Sequence, residues 1–335
     1  MLASETLFQM KRRRKFDLII FDASNLSYRA KHTVGDMFYR GRRTGVVFGS
    51  LKIIRKTIED FHPERAVVVW DGGASYTRRL IFNDYKLARR NKKEDATELD
   101  KLEYQAMIEQ MNETQNILEL LGVPQIRIPR TEADDVIAYV ACKSTSTSLI
   151  CSTDRDFLHL VNDKISVYSP IRDCVYTDTN FSKFANGHAS PRRYMFYKIL
   201  AGDHSDGIPG ISGIGEKTAI KIIEAFQGDL WNILFANRDD GASDIQKKFL
   251  DKLEEKDKDF RSKLIRNWHL MDLKSFVDLH IPTQNRETID NIIFRTDEPN
   301  VRAVQKMFVQ LGFQSLLKEF TEWTSTFVNM QKTDG

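Results

Sequence analysis

Three short apolar runs, each finishing at aspartate, constrain this chain more than any other feature. Phe16 to Phe21 (FDLIIF) stops at Asp22, and Ala66 to Trp70 (AVVVW) stops at Asp71. Ser148 to Ser152 (SLICS) runs out just before Asp154 and Asp156. Runs this short and this uniformly apolar read as strands buried on both faces. Helical patterns separate them. Ala23-Ser24-Asn25 can cap a helix through Leu26 to Lys31. Gly45 to Phe61 repeats Val47, Leu51, Ile54 and Ile58 on one face, ahead of Pro63. A longer helix, from about Ala96 to Leu121, carries Tyr104, Met107, Met111, Leu118 and Leu121, and Gly122 and Pro124 close it. Pro124 to Ile128 reads as a short strand, and Ile165 to Tyr168 with Cys174 to Tyr176 as a closing hairpin. The alternation predicts an α/β fold with a mostly parallel central sheet flanked by helices.

With 335 residues, 41% of them hydrophobic, the chain can bury a large core. Four segments follow from the pattern: a basic lead-in at 1–15, the α/β region at 16–184, a charged surface excursion within it at about 76–98, and a helical region at 185–335. The last residues, Gln331 to Gly335, read as a frayed tail. The formal charge of +3 does not by itself demand a polyanion. Local clusters say more: Lys11-Arg12-Arg13-Arg14-Lys15 and Arg89-Arg90-Asn91-Lys92-Lys93 stand apart from the acids. They fit either solvated surface or phosphate contacts around an acidic centre. Cys142, Cys151 and Cys174 form no CxxC pair, which fits a reduced, cytoplasmic setting. The first apolar run is too short, and too broken by Asp17 and Asp22, for a signal peptide or membrane span.

A fourth acidic element, Thr131-Glu132-Ala133-Asp134-Asp135, opens an amphipathic helix carrying Val136, Ile137, Val140 and Ala141. Read structurally, Thr131 is an N-cap, Asp134 holds the capping-box position, and the acids suit the helix dipole. Read chemically, three carboxylates in four positions repel one another unless a cation relieves them. In open parallel sheets ligands bind outside the carboxyl ends of strands, where Asp22, Asp71, Asp154 and Asp156 also stand. Together the acids make an oxygen-only set of about seven carboxylates, which selects Mg²⁺ or Mn²⁺ over zinc. Two such ions about 4 Å apart can orient a water and stabilise the leaving oxygen of a phosphodiester.

Beyond residue 185 the pattern is helical except for Gly202-Asp203-His204-Ser205-Asp206-Gly207-Ile208-Pro209-Gly210, which leads into Ile211-Ser212-Gly213-Ile214-Gly215-Glu216-Lys217-Thr218-Ala219. Gly213 and Gly215 would admit a phosphate close to the backbone at the positive end of a helix. The segment resembles a helix-hairpin-helix, here placed at about 202–227, which grips a DNA backbone without reading bases.

The ordered set FDASN, VVVWDGG, YK, TEADD, STDRDF and GDHSDGIPGISGIGEKTA resembles the 5′-nuclease family: flap endonucleases, bacteriophage 5′-exonucleases and the 5′-nuclease domains of bacterial DNA polymerases. In layout it looks most like the bacteriophage single-domain enzymes. The resemblance spans about 16–227, with a weaker echo near Phe308 to Phe320. It implies a PIN-like, resolvase-like domain with two metal ions. Asp22, Asp71, Glu132, Asp134 and Asp135 would surround one, and Asp154, Asp156, Asp203 and Asp206 the other. Lys86 and Arg78 would steer the scissile phosphate, with Arg79 the alternative by one position. Tyr28 and Arg29 would stack a base and hold a phosphate. Tyr85, Lys198, Gly213, Gly215, Lys217 and Thr218 would contact DNA, with K⁺ at the helix-hairpin-helix. The 76–98 excursion coincides with the family's helical arch.

The implied activity is hydrolysis at 5′ ends or flap junctions of DNA, or of RNA primers in RNA·DNA hybrids, leaving 5′-phosphate and 3′-hydroxyl ends. The implied setting is replication or repair, in a bacterium or an infected host cell, with the protein acting as a monomer. A sliding clamp or single-strand-binding protein would be an added partner. Gln314 to Thr321 has the outline of a clamp-binding box, but reads first as core packing of a terminal helix. Competing readings are a catalytically silent junction-binding scaffold on the same fold, a DxD-type phosphatase, and a small PIN-type ribonuclease. The phosphatase needs DxD where Asp22-Ala23-Ser24 stands, and the ribonuclease would lack GIGEKTA.

Overall fold

A computed structural model describes residues 15–34, 36–184, 188–236, 241–295 and 297–331. Most of the basic lead-in, residues 1–14, and residues 332–335 of the expected tail lie outside them. Six strands form the central sheet: β1 (Leu18–Asp22), β2 (Arg65–Val69), β3 (Gln125–Ile126), β4 (Ser148–Cys151), β5 (Ile165–Ser169) and β6 (Cys174–Tyr176). Their spatial order is β3-β2-β1-β4-β5-β6, parallel throughout except for the β5–β6 hairpin. The order reverses between β1 and β4. That is the topological switch point, where the carboxyl ends of neighbouring strands lead away to opposite sides and leave a crevice.

Alternation along β1 shows why the strand is apolar throughout. Ile19 and Phe21 face one core, with the helices Ala23–Val34, Gly45–Phe61 and Glu98–Leu120. Leu18 and Ile20 face the other, with the helix Ala133–Lys143. Each fully buried side chain of this size contributes roughly 1.5–3 kcal/mol, so neither face tolerates a polar residue cheaply. A third core joins helices Pro191–Ala201, Glu216–Ala225, Asp244–Lys256 and Phe260–Met271.

Several expectations need correction. The region 185–335 is not one helical body. Val304, Phe308, Phe313, Trp323 and Phe327 pack on the first sheet face, and Leu273, Val277, Ile281 and Ile289 on the second. The stretch at 314–321 does pack into the core, as expected: Leu316, Leu317 and Phe320 lie against the first core. The first helix starts at Ala23, without the intervening turn, because Asp22 Oδ1 accepts the Asn25 N–H (3.1 Å) and caps it. Tyr104 is 43% exposed, since the Glu98–Leu120 helix turns that end of its stripe away from the sheet. The 76–98 segment forms two short helices, Tyr76–Ile81 and Leu87–Glu94, and is not wholly a surface excursion: Arg78 and Tyr85 are buried.

Thr131 is not the N-cap of its helix. Glu132 holds that position, and the Thr131 hydroxyl reaches only the Pro129 carbonyl (3.5 Å). The turn is fixed by backbone instead. Gly72 N–H donates to Thr131 O (3.1 Å) and Arg130 N–H donates to Gly72 O (2.9 Å). A Cβ on Gly72 would stand 1.7 Å from Ile128 O, so only glycine lets β2 pass this close. The helix-hairpin-helix also begins earlier than residue 202, its first helix being Pro191–Ala201.

Candidate active site

At the switch point Asp22 leaves β1 and Asp154 follows β4. Asp22 is buried; Ser152 Oγ donates to its Oδ2 (2.7 Å). The same Ser152 Oγ accepts the Asp154 N–H (3.0 Å), and Asp154 Oδ1 accepts the Asp156 N–H (2.8 Å). One hydroxyl thus fixes both strand-end acids. Asp134 faces them from the Ala133–Lys143 helix, and among the described residues no group donates a hydrogen bond to its carboxylate. Burial, then the charges of Asp154 and Asp71, pushes Asp22 up to about 7. Burial and Asp156 push Asp154 up to about 6. Asp134 is driven well above the carboxylate range by burial, Asp154 and Asp22. Three half-to-fully buried acids therefore repel one another.

Asp71 sits at the exposed margin. Ser24 Oγ accepts its N–H (3.2 Å), and its own Oδ1 accepts the Gly73 N–H (2.9 Å).

The remaining acids are neutralised by the chain's own cations. Glu132 Oε2 receives the Lys86 ammonium (2.9 Å) and the Tyr85 hydroxyl (2.8 Å). Burial pushes Glu132 up, but Lys86 and Arg78 outweigh it and its pKa is lowered. Asp206 accepts from Tyr85 (3.2 Å) and pairs with Arg89 (2.9 Å). Lys86 adopts φ 54° while its N–H donates to Asp206 O (2.7 Å), which ties the base of the charged segment to the 203–207 loop. Asp156 and Asp203 share the buried Lys198 ammonium, at 2.9 Å from Asp203. Burial raises the Asp203 pKa, but Lys198 and Ser205 bring it down to about 2.

Four expected roles change. Arg78 is buried, its Nη1 and Nη2 on Asp135 (2.5 and 2.6 Å) and its Nε on the Leu270 carbonyl (2.9 Å), so it cannot steer a phosphate. Arg79, the neighbour, is exposed. Both Asp135 oxygens are spent on Arg78, which removes Asp135 from the ligand set. Tyr85 is buried and Lys198 half-buried, each held on carboxylates rather than offered to DNA. The seven-carboxylate gathering is accordingly divided. Among the described residues no three His, Cys, Asp or Glu side chains stand ready-made around one ion.

Sequence reasoning missed Ser152, read Ser24 and Asn25 only as a helix cap, and read Arg89 only as part of a basic cluster. Asn25 Oδ1 accepts both the N–H (3.1 Å) and the hydroxyl (2.7 Å) of Thr153, clamping the β4 exit to the first helix. A serine two residues before a strand-end acid was the available signal for Ser152. Arg29 does reach the site: with Arg155 and Arg172 it lines a cavity of about 120 Å³ that also includes Asp154. Tyr28 is 47% exposed beside it on the same helix.

An all-oxygen set of mutually repelling, buried acids fits a hard divalent cation. Asp22, Asp134 and Asp154 would have to draw closer together than they stand to hold one, with Asp71 at the margin. At the helix-hairpin-helix, Gly213 has φ 71°, and a Cβ on Gly215 would meet nothing within 4 Å. Gly215 N-caps the Glu216–Ala225 helix without a side chain, so the helix end is open to an anion.

Comparison with known proteins places this architecture. Residues 17–185 match the family described as 5′-3′ exonuclease, N-terminal resolvase-like domain, and 189–293 match the 5′-3′ exonuclease, C-terminal SAM fold. The 5′-3′ exonuclease of Aquifex aeolicus is 30% identical over 307 residues, covering 90% of this chain and 94% of that protein. Thermus aquaticus DNA polymerase I is 28% identical over 318 residues, 94% of this chain but 34% of the polymerase. The chain thus spans about a third of the polymerases it matches. In fold it resembles the bacteriophage T5 D15 protein co-crystallised with metal ions, with TM-score 0.66, 23% identity, and 82% and 96% of the two chains covered. It also resembles flap endonuclease-1 from Methanococcus jannaschii, with TM-score 0.56, 15% identity, and 98% and 96% covered. The class defined by fold and site is a resolvase-like nuclease domain joined to a helix-hairpin-helix. The chain belongs to the 5′-3′ exonuclease family.

Proposed function

We propose that this chain is a structure-specific 5′-nuclease that hydrolyses phosphodiester bonds at 5′ ends or flap junctions of DNA during replication or repair. Asp22, Asp134 and Asp154 facing one another at the switch point carry that reading, because a divalent cation would relieve their repulsion. Mg²⁺ is the fitting ion, with Mn²⁺ able to substitute; K⁺ at the hairpin rests on the family resemblance. When bound, such ions supply Lewis acidity that activates water and screens the leaving oxygen.

The chain's own residues do the rest. Ser152 holds Asp22 and Asp154 in register. Lys86, anchored on Glu132 and Asp206, keeps positive charge beside the acids, where a phosphate's negative charge grows. Exposed Arg79 adds to it. Gly213, Gly215, Lys217 and Thr218 suit a phosphate backbone at the open helix end, and Tyr28 suits stacking on a base of any sequence. Cleavage would leave 5′-phosphate and 3′-hydroxyl ends. A silent scaffold finds no support, since the acids and Lys86 are all present.

A 5′-labelled flap duplex, a nicked duplex and an RNA·DNA hybrid, each incubated with Mg²⁺ or EDTA, test the proposal. Divalent-dependent cleavage near the junction, lost in Asp154→Ala, is expected. Binding without cleavage, or unchanged cleavage by Asp154→Ala, would refute it.

A further inference from the structure

One cavity lies apart from the strand-end aspartates, where the segment after β4 meets the helical region. It has about 590 Å³, and its walls include Val161, Phe196, Leu230, Trp231 and Trp268. That volume is ordinary for a binding pocket. A run of touching rings leads into it. Phe235, 73% exposed, stacks on Trp231 (5.4 Å, 13°), which is 47% exposed. Trp231 meets Trp268 edge-on (4.9 Å), and Trp268 meets Phe276 (5.1 Å). Nothing in the nuclease site uses these rings. Large aromatics left this exposed around an apolar hollow mark a contact surface.

The rim decides what kind of contact. Arg192 is paired with Asp229 (2.8 Å). Asp272 is fully engaged: its Oδ1 accepts the N–H groups of Lys274 and Ser275, and its Oδ2 those of Trp268 Nε1 and Ser275 Oγ. His159, buried at the back, accepts the Leu273 N–H on Nε2 (3.2 Å). Lys274 is exposed, and among the described residues its ammonium has no ion-pair partner. A nucleic-acid strand would need a row of free cations, and this rim offers one. A bulky apolar side chain next to a carboxylate would match both the hollow and the single free charge.

We propose that this cavity is a docking site for a partner protein, taking a short segment whose bulky apolar side chain enters the hollow alongside Trp231 and Trp268 while an adjacent acidic residue pairs with Lys274. The chain reports on it directly. Of its four tryptophans, Trp70 and Trp323 are each 1% exposed, so a ligand-induced change in fluorescence arises from Trp231 and Trp268.

Full-length protein is titrated with capped tetrapeptides of two Glu followed by pairs of Leu, Ile, Met or Phe. The comparators replace both Glu by Lys, and an oligothymidylate serves as the strand control. A saturable blue shift with acidic peptides is expected. Lys274→Glu should weaken it by about tenfold or more, the size of one lost charge pair, and Trp231→Ala should abolish it. Flap cleavage by Lys274→Glu should stay at the wild-type rate. No saturable shift, an equal response to the basic peptides, or an unaltered response in Lys274→Glu overturns the proposal. So does a shift seen only with oligothymidylate, which would mark a strand-binding surface. A shift that follows protein concentration alone would mark self-association, and equally overturns it.

Discussion

Asp22 serves two purposes whose costs differ. As the cap of the first helix it is satisfied by the Asn25 N–H and the Ser152 hydroxyl, while burial and its acidic neighbours hold its pKa near 7. Its folded pKa lies above the ordinary 3.8, so the native state binds the extra proton between those values. Stability of the metal-free protein should therefore fall as pH rises from about 4 to about 7 and level off above. Asp154, at about 6, adds to the fall over the lower part of that window. Asp203, pulled to about 2, acts in the opposite sense: its contribution is lost as pH drops below 4. Thermal melts in EDTA across pH 4–8 check this slope, and Mg²⁺ should restore most stability at the alkaline end, where the acids are already ionised and no proton competes with the ion. Asp134→Asn keeps the side chain's shape and removes one of the repelling charges. Its metal-free melting temperature should rise, while flap cleavage should drop by at least about 100-fold, as expected on losing a metal ligand.

Elements are held in place by contacts that single residues do not advertise. The Tyr76–Ile81 helix is locked to the Ala133–Lys143 helix by the buried Arg78–Asp135 pair. Breaking one partner leaves an uncompensated charge, so Asp135→Asn should cost about 3–5 kcal/mol in urea unfolding. Gly72 governs a second junction, where β2 meets the Ile128–Thr131 turn that aims Glu132. Gly72→Ala forces that turn away and should destabilise by about 3 kcal/mol, with Glu132 and Lys86 displaced together and cleavage impaired beyond the stability loss. The strands, the Gly45–Phe61 helix and the acidic helix start were legible because hydrophobic period and chain punctuation are local signals. Arg78 was not: an arginine in a charged run reads as surface, and only the approach of Asp135 and Leu270 from distant sequence buries it. Tyr85 and Lys198 escaped for the same reason. Tyr85 stands in a polar segment and Lys198 in an apolar one, and each meets a carboxylate from distant sequence, Glu132 at 47 residues and Asp156 at 42.

At the scale of the whole molecule, the proposed DNA contacts come from two separate places. The helix-hairpin-helix offers an open helix end and Lys217, and the cavity around Asp154 offers Arg29, Arg155 and Arg172. A residue that contacts only phosphate should change affinity without changing sequence preference. Lys217→Ala should weaken duplex binding alike on unrelated sequences and reduce the slope of log Kd against log salt by about 1. Anisotropy titrations over a range of salt on two duplexes measure both. The terminal helices contribute to neither surface. Phe308, Trp323 and Phe327 close the first core over β1 and the Gly45–Phe61 helix, so a C-terminal segment with no chemical motif still supports the strand that presents Asp22.

The sequence by itself determined the parallel sheet and the acids at its strand ends, because buried strands must be apolar and Asp punctuates them. It also determined the family, through motifs whose order survives divergence. Only the tertiary structure decided which of those acids remain free. Lys86 stands 46 residues from Glu132 in the chain, Arg78 57 from Asp135 and Lys198 42 from Asp156, and a charge is neutralised by what stands within a few ångströms, whatever its distance in sequence. That partition leaves Asp22, Asp134 and Asp154 as the repelling trio, and makes the remaining acids the frame that holds the cations beside it.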